Sequence, residues 1–199
     1  MRRLLPLAIP FLLTACSNPV ETVTLSGQVK LPLASVNAFQ VDGAPLLLSN
    51  FDGTLGKVHA ASLDAGGRFS FKVERSSLPE SAQWFKLVLM HPERKEPMLS
   101  RALVLSRGSG DAEGLELQSY TSLTQMAMEY QYQLDPARVP TSLSPTAVEA
   151  KLADSPDAYL LDNSFHGAYA QYASGSTKVA PAANSNLAAL TRDLLFPDP

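Results

Sequence analysis

The hydrophobic rhythm of the chain changes once, near residue 119, and that change limits it to strands followed by helices. Before it, apolar residues recur at every second position in short runs broken by Gly, Pro and Asp; after it they recur every three or four. Val23, Leu25, Gly27 and Val29 alternate with Thr24, Ser26, Gln28 and Lys30, the pattern of a half-buried strand that Pro32 ends. Further strands are predicted over 35–41 (Val36, Ala38 and Gln40 on one face), at Leu46-Leu47-Leu48, over 57–63, 84–90 and 99–105, and at Leu115-Glu116-Leu117. Asp42-Gly43-Ala44-Pro45, Asn50-Phe51-Asp52-Gly53 and Gly108-Ser109-Gly110-Asp111 read as turns. The stretch 64–73 predicts a tight hairpin. Gly66-Gly67 would supply positive φ, and Phe69, Phe71 and Val73 alternate with Arg68, Ser70 and Lys72. Short strands at roughly 8–12-residue spacing point to an antiparallel β-sandwich over 23–118.

From 119 to 199 the expectation is a helical region. Leu123, Ala127, Tyr130 and Leu134 share one helical face, with Ser122 and Gln125 spaced as a capping box and Asp135-Pro136 as the stop. A second helix begins at Ser144-Pro145 and carries Val148 and Leu152. A third runs over 158–172, with Leu161, Phe165, Ala168 and Tyr172 on one face, until Ser174-Gly175-Ser176 breaks it. Asn184 or Asn186 caps a last helix through Leu187, Leu190, Leu194 and Leu195. The fold class expected is therefore α+β.

The first 15 residues have the layout of an export signal. Arg2 and Arg3 precede an apolar run from Leu4 to Leu13, about half the roughly 20 residues a spanning helix needs, and Pro6 and Pro10 weaken it further. The run closes on Leu13-Thr14-Ala15-Cys16, which holds the chain's single cysteine and resembles the lipobox of bacterial lipoproteins. That resemblance implies cleavage before Cys16 and a diacylglyceryl thioether on its sulfur. The thiolate is a good nucleophile toward a lipid donor, and two chains make a stable anchor where one does not. Residues 16–22 would be a short lipidated tether. Ser17 in place of Asp favours the outer membrane over inner-membrane retention. An uncleaved anchor and an ordinary cleavage site with a free Cys16 are the rival readings.

Composition narrows the partners. Loss of Arg2 and Arg3 with the leader takes the formal charge from −3 to −5, so nucleic acid and anionic headgroups are poor electrostatic partners. With Cys16 acylated no thiol is left for a disulfide, and the fold must rest on its apolar core, for which a 45% hydrophobic content is ample.

No catalytic centre is legible. His59, His91 and His166 lie in different predicted elements without zinc-site spacing, and no serine stands in a Gly-x-Ser-x-Gly elbow. A Ser–His–Asp set assembled from distant segments stays open. Asp42, Asp52 and Asp64 fit turn chemistry better than calcium ligation, and Gly66-Gly67 and Gly108-x-Gly110 lack the Lys-Ser/Thr of a phosphate loop. Glu93-Arg94-Lys95-Glu96 reads as a solvated hairpin tip. All six tyrosines lie beyond residue 118. Spacing assigns Tyr130 and Tyr172 to the core and leaves Tyr132, Tyr159 and Tyr169 between packing and a contact surface or groove.

Ser26-Gly27-Gln28-Val29, Val36-Asn37-Ala38-Phe39 and Asp64-x-x-Gly67-x-Phe69 together resemble the carboxypeptidase regulatory-like, transthyretin-like sandwich, over about residues 22–118. The resemblance implies a fold and a spacing or adhesive role, without peptidase activity. The expectation is a lipid-anchored protein of the bacterial cell envelope, acting as a non-catalytic structural or interaction module with an envelope protein partner, with no cofactor and no metal. The alternatives are an envelope hydrolase or a small-ligand-binding lipoprotein with a site between sandwich and helices.

Overall fold

The computed structural model describes residues 21–32, 43–52 and 59–198. The leader, Cys16 and the strand expected over 35–41 lie outside the described residues. Among the described residues seven strands, β1 (Thr22–Val29), β2 (Pro45–Asn50), β3 (His59–Ser62), β4 (Arg68–Glu74), β5 (Gln83–Met90), β6 (Pro97–Leu105) and β7 (Ala112–Leu117), precede four helices, α1 (Ser119–Leu134), α2 (Pro145–Ala153), α3 (Ala158–Ala173) and α4 (Ser185–Leu195). The class is α+β, with the change from strand to helix where the sequence rhythm changes.

The strands form a three-stranded sheet, order β4-β1-β7, and a four-stranded sheet, order β3-β2-β5-β6. Their buried faces contribute to one apolar cluster, through Val23, Leu25, Phe69 and Val73 from the first sheet and Leu46, Leu48, Leu87 and Leu89 from the second. Two sequence expectations are corrected here. Residues 64–73 do not form a hairpin, because β3 pairs with β2 while β4 pairs with β1 in the other sheet. The turn carries the chain from one sheet to the other. Its chemistry is as expected in kind: the Asp64 carboxylate accepts from the N–H groups of Gly66 and Arg68 at 2.9 and 2.8 Å. Only Gly67 of the glycine pair has positive φ, at 71°. Nor is the first sheet wholly antiparallel, since β7 lies parallel to β1. The two strands are far apart in sequence and joined by no hairpin, so nothing local dictates their relative direction. At their closest approach Gly27 has no side chain to spare: a Cβ there would stand 1.9 Å from the Leu115 carbonyl oxygen.

The second sheet is covered on both faces, which explains why β5 reads as a nearly continuous apolar run. Phe85, Leu87 and Leu89 face the other sheet's core partners, while Val88 on the opposite face is buried beneath the helices. The covering element is α1, which packs on β6 and also meets α2, α3 and α4. It is buried nearly all round from Thr121 to Met128. Beyond that only one side stays covered, with Gln131 buried against α4 and Tyr132 packed on Phe51, while Tyr130 is 37% and Leu134 58% exposed. Tyr130 is therefore not a core residue. The start of α1 also differs from expectation. The helix begins one turn earlier, with the Thr121 hydroxyl accepting from the Gln118 N–H at 3.0 Å, and Ser122 and Gln125 are turned to the sheet instead of capping. Helices α2 and α4 begin where their caps predict. The Ser144 hydroxyl accepts from the Ala147 N–H, and the Asn184 side chain accepts from the N–H groups of Asn186 and Leu187.

Candidate functional site

The junction of the second sheet with α1 concentrates the buried polar side chains. Ser100, on the helix-facing side of β6, is at its centre. Its backbone N–H donates to the Ser122 hydroxyl at 2.8 Å, and its carbonyl accepts from the Thr121 hydroxyl at 2.8 Å. The Ser100 hydroxyl donates to Gln125 Oε1 at 2.7 Å, Gln125 Nε2 donates to Glu129 Oε2 at 2.6 Å, and Lys86 Nζ donates to Glu129 Oε1 at 2.5 Å. Ser100 and Gln125 are 1% and 2% exposed, so the chain of bonds runs from a dry end at Ser100 to a half-buried ion pair.

This polar chain forms one wall of a cavity of about 430 Å³. The cross-strand register explains the sheet side of the cavity, to which Lys86 and Ser100 of the chain also belong. Leu47 pairs with Val88 and Ser49 with Lys86, so these side chains share the helix-facing side of the sheet, and Met90 and Pro97 extend it. The buried lining residues Val88, Ser100 and Gln125 mark the deep end, and the exposed Gln133 and Ala183 mark the mouth. The 3-10 turn Pro181–Ala183, packed on β6, supplies the rim.

A second junction ties α2 to the strands. Arg101 donates to the Glu116 carbonyl at 3.0 Å and to Glu149 Oε2 at 3.2 Å. Burial pushes the Glu149 carboxyl above its ordinary range, more than the Arg101 guanidinium draws it down, and the Glu116 charge adds to the rise. A third junction holds the β5–β6 tip against α3. The Arg94 guanidinium lies 4.5 Å from the centre of the Tyr172 ring, and the Tyr172 hydroxyl donates to Glu96. The 93–96 run is thus only partly a solvated tip: its first three residues are exposed, while Arg94 and Glu96 reach back to the helix. Burial, followed by the bond to Glu96, raises the Tyr172 phenol above its usual pKa.

The sequence left a Ser–His–Asp set open, and one such trio does converge. Ser119 donates to Asp162 Oδ1, and His166 Nε2 lies 3.6 Å from the same oxygen. The carboxylate stands between hydroxyl and imidazole, so the serine's hydrogen-bond partner is Asp162, whereas a triad needs the imidazole to take the serine proton. His91 lies elsewhere, its Nδ1 accepting from the N–H groups of Glu93 and Arg94, with its pKa lowered by burial first and by Arg94 second. Only the backbone of His59, in β3, is described. Among the described residues no three His, Cys, Asp or Glu side chains are grouped as metal ligands, and no helix is long and apolar enough to cross a membrane.

The tyrosines divide differently from the spacing argument. Tyr172 is buried as expected, and so is Tyr169, which belongs to the packing of α3 and not to a contact surface. Among the described residues its hydroxyl has no hydrogen-bond partner, and burial pushes its pKa far up. Tyr132 is half-buried and packs edge-on to Phe51, which stacks on Trp84. Tyr159 is 72% exposed.

No family model and no curated protein matches the chain. Among solved structures, a DUF3823 family protein from Bacteroides ovatus is similar at 15% identity and a TM-score of 0.31, over 49% of this chain and 46% of that one. A likeness of that size assigns neither fold family nor function. The polar chain and cavity are not legible in the sequence, because Ser122 and Gln125 have the spacing of a capping box and nothing in the strand expected over 99–105 sets Ser100 apart. The available hint was the nearly continuous apolar run of β5, interrupted only by Lys86, which requires a cover on its second face.

Proposed function

We propose that the protein is a lipid-anchored envelope module, held to the outer membrane through acylated Cys16, that binds another envelope protein without catalysing a reaction. On this reading the two sheets are a transthyretin-like sandwich of the carboxypeptidase regulatory-like kind, serving as the base for a helical contact surface. The observation that carries it is the placement of exposed apolar bulk. Tyr130, Leu134, Tyr159, Leu160, Val179 and Leu190 are the large apolar side chains exposed among the described residues, and every one lies in the helical half. Exposed aromatic and aliphatic side chains of this kind are what protein interfaces use as anchors. The polar side chains best suited to chemistry are occupied in joining helices to sheets, and Asp162 separates Ser119 from His166, which supports a binding role over a hydrolytic one.

Two experiments test the parts separately. The Cys16→Ser chain should stay an unlipidated precursor, and its partitioning and migration should differ from the parent's; identical behaviour rules out the anchor. Affinity capture from membranes should recover an envelope protein with the parent and lose it with Tyr159→Ser/Leu160→Ser. Recovery of only lipid and the chain itself would end the interaction reading.

A further inference from the structure

The cavity under the 181–183 turn has the size and layout of a small-molecule site, and we infer that it binds an uncharged, mostly apolar molecule that enters with a carbonyl-type oxygen foremost. At about 430 Å³ it falls within the roughly 300–1,000 Å³ range in which proteins bury small organic ligands. Such sites combine apolar walls with a few converging polar groups, and here Leu47, Val88, Met90 and Pro97 supply the first and the Ser100–Gln125–Glu129–Lys86 chain the second.

The hydrogen-bond inventory sets the ligand's chemistry. A primary amide has two N–H donors, and among the described residues Gln125 uses one, to Glu129. An ammonium has three, and Lys86 uses one, also to Glu129. The polar wall therefore has donors left over, with the amide donor at its dry end. A donor in so dry a place is satisfied best by an incoming acceptor oxygen. Charge argues in the same direction. Among the described residues Lys86 is the only cation on the lining and is already in contact with Glu129, so a carboxylate or phosphate would meet the Glu129 charge without a free counter-charge. A cationic ligand fares no better, because both Glu129 oxygens are engaged. An ester, amide or ketone on an apolar body suits both constraints. The site is independent of the anchor and of the exposed helical surface proposed above.

The probe pair is Prodan, a neutral naphthalene carrying a ketone, and N-phenyl-1-naphthylamine, a neutral naphthalene of similar bulk carrying only an N–H. Both are titrated into the full chain bearing Cys16→Ser, purified free of detergent. Prodan should bind saturably with blue-shifted emission. Ser49→Phe, which fills the sheet-side wall, and Ala183→Trp, which blocks the exposed mouth without touching the core, should each weaken both probes by about tenfold or more. Gln125→Met should weaken Prodan by about three- to tenfold, the worth of one hydrogen bond, and leave N-phenyl-1-naphthylamine unchanged. Non-saturable Prodan uptake, or parent-like binding by Ala183→Trp with native circular dichroism, would overturn the site. Equal weakening of both probes by Gln125→Met would overturn the ligand chemistry.

Discussion

Replacing Gln125 by methionine isolates the junction that fixes α1 to the second sheet. Methionine keeps most of the volume and removes both amide hydrogen bonds, one from the Ser100 hydroxyl at 2.7 Å and one to Glu129 at 2.6 Å. Glu129 keeps its Lys86 partner, but the Ser100 hydroxyl, in a residue 1% exposed, loses its acceptor Gln125 and has no other among the described residues. A buried donor stranded in this way costs about 1–3 kcal/mol, and the lost bond to Glu129 brings the expected total to about 2–3 kcal/mol. For a chain of this size that is a fall in Tm of about 4–12 °C. Ser100→Ala strands the Gln125 carbonyl instead and should cost a similar amount. In the double variant neither group is stranded, so its loss should fall short of the sum by about 1–3 kcal/mol. Urea denaturation of the four proteins, read by far-UV circular dichroism, gives the coupling directly. Additivity within about 0.5 kcal/mol would refute the assigned bond, whatever the single losses were.

Gly27→Ala should be more damaging than an exposed strand glycine would suggest. Its Cβ would lie 1.9 Å from the Leu115 oxygen and 2.6 Å from the Leu115 carbonyl carbon, forcing β1 and β7 apart at a cost of about 1–3 kcal/mol or more, and an unchanged denaturation midpoint would contradict the parallel pairing. Tyr169→Phe should leave stability unchanged or raise it, by up to about 2 kcal/mol, since the hydroxyl removed is buried and unpartnered. It should also alter the alkaline limb of the stability profile. Above the ordinary phenol pKa of about 10 the unfolded chain loses the Tyr169 proton while the folded chain keeps it, so stability falls as pH rises. The Phe variant should show a shallower fall in denaturation midpoints between neutral and alkaline pH, and an identical slope would show Tyr169 titrating normally.

Much of this fold is legible in single residues because their roles are local. Asp135-Pro136 stops a helix, Ser144 and Asn184 start helices, and Asp64 with Gly67 shapes a turn, all through bonds within a few residues. What the sequence did not disclose depends on distant partners. The Asp64–Gly67 turn has hairpin chemistry, yet the strands on either side find better partners in different sheets, and the β1–β7 pairing has no local signal at all. Gly27 stood out in the sequence as a strand glycine, but its purpose appears only when Leu115 lies against it. The polar residues of α1 gave the wrong expectation for a related reason. Ser122 and Gln125 have the spacing of a cap, whereas their side chains bond across to Ser100 on β6, 22 and 25 residues away. Tyr130 fits the helical period but lies on the side of α1 left uncovered beyond Met128, where Gln131 and Tyr132 are the residues turned to the fold. Cys16 lies outside the described residues, so its role rests on the leader pattern alone.

The most direct test of the central claim, that α1 is core to the sheets and not an appendage, is native-state hydrogen exchange at Leu87 on β5 and Ala127 on α1. Both residues are completely buried in the shared cluster. Their amides should open with the same free energy, within about 0.5 kcal/mol, and with the same dependence on denaturant, as members of one cooperative unit do. Exchange at Ala127 through an opening several kcal/mol lower, with Leu87 still protected, would contradict the claim and make the helices a separately folding attachment.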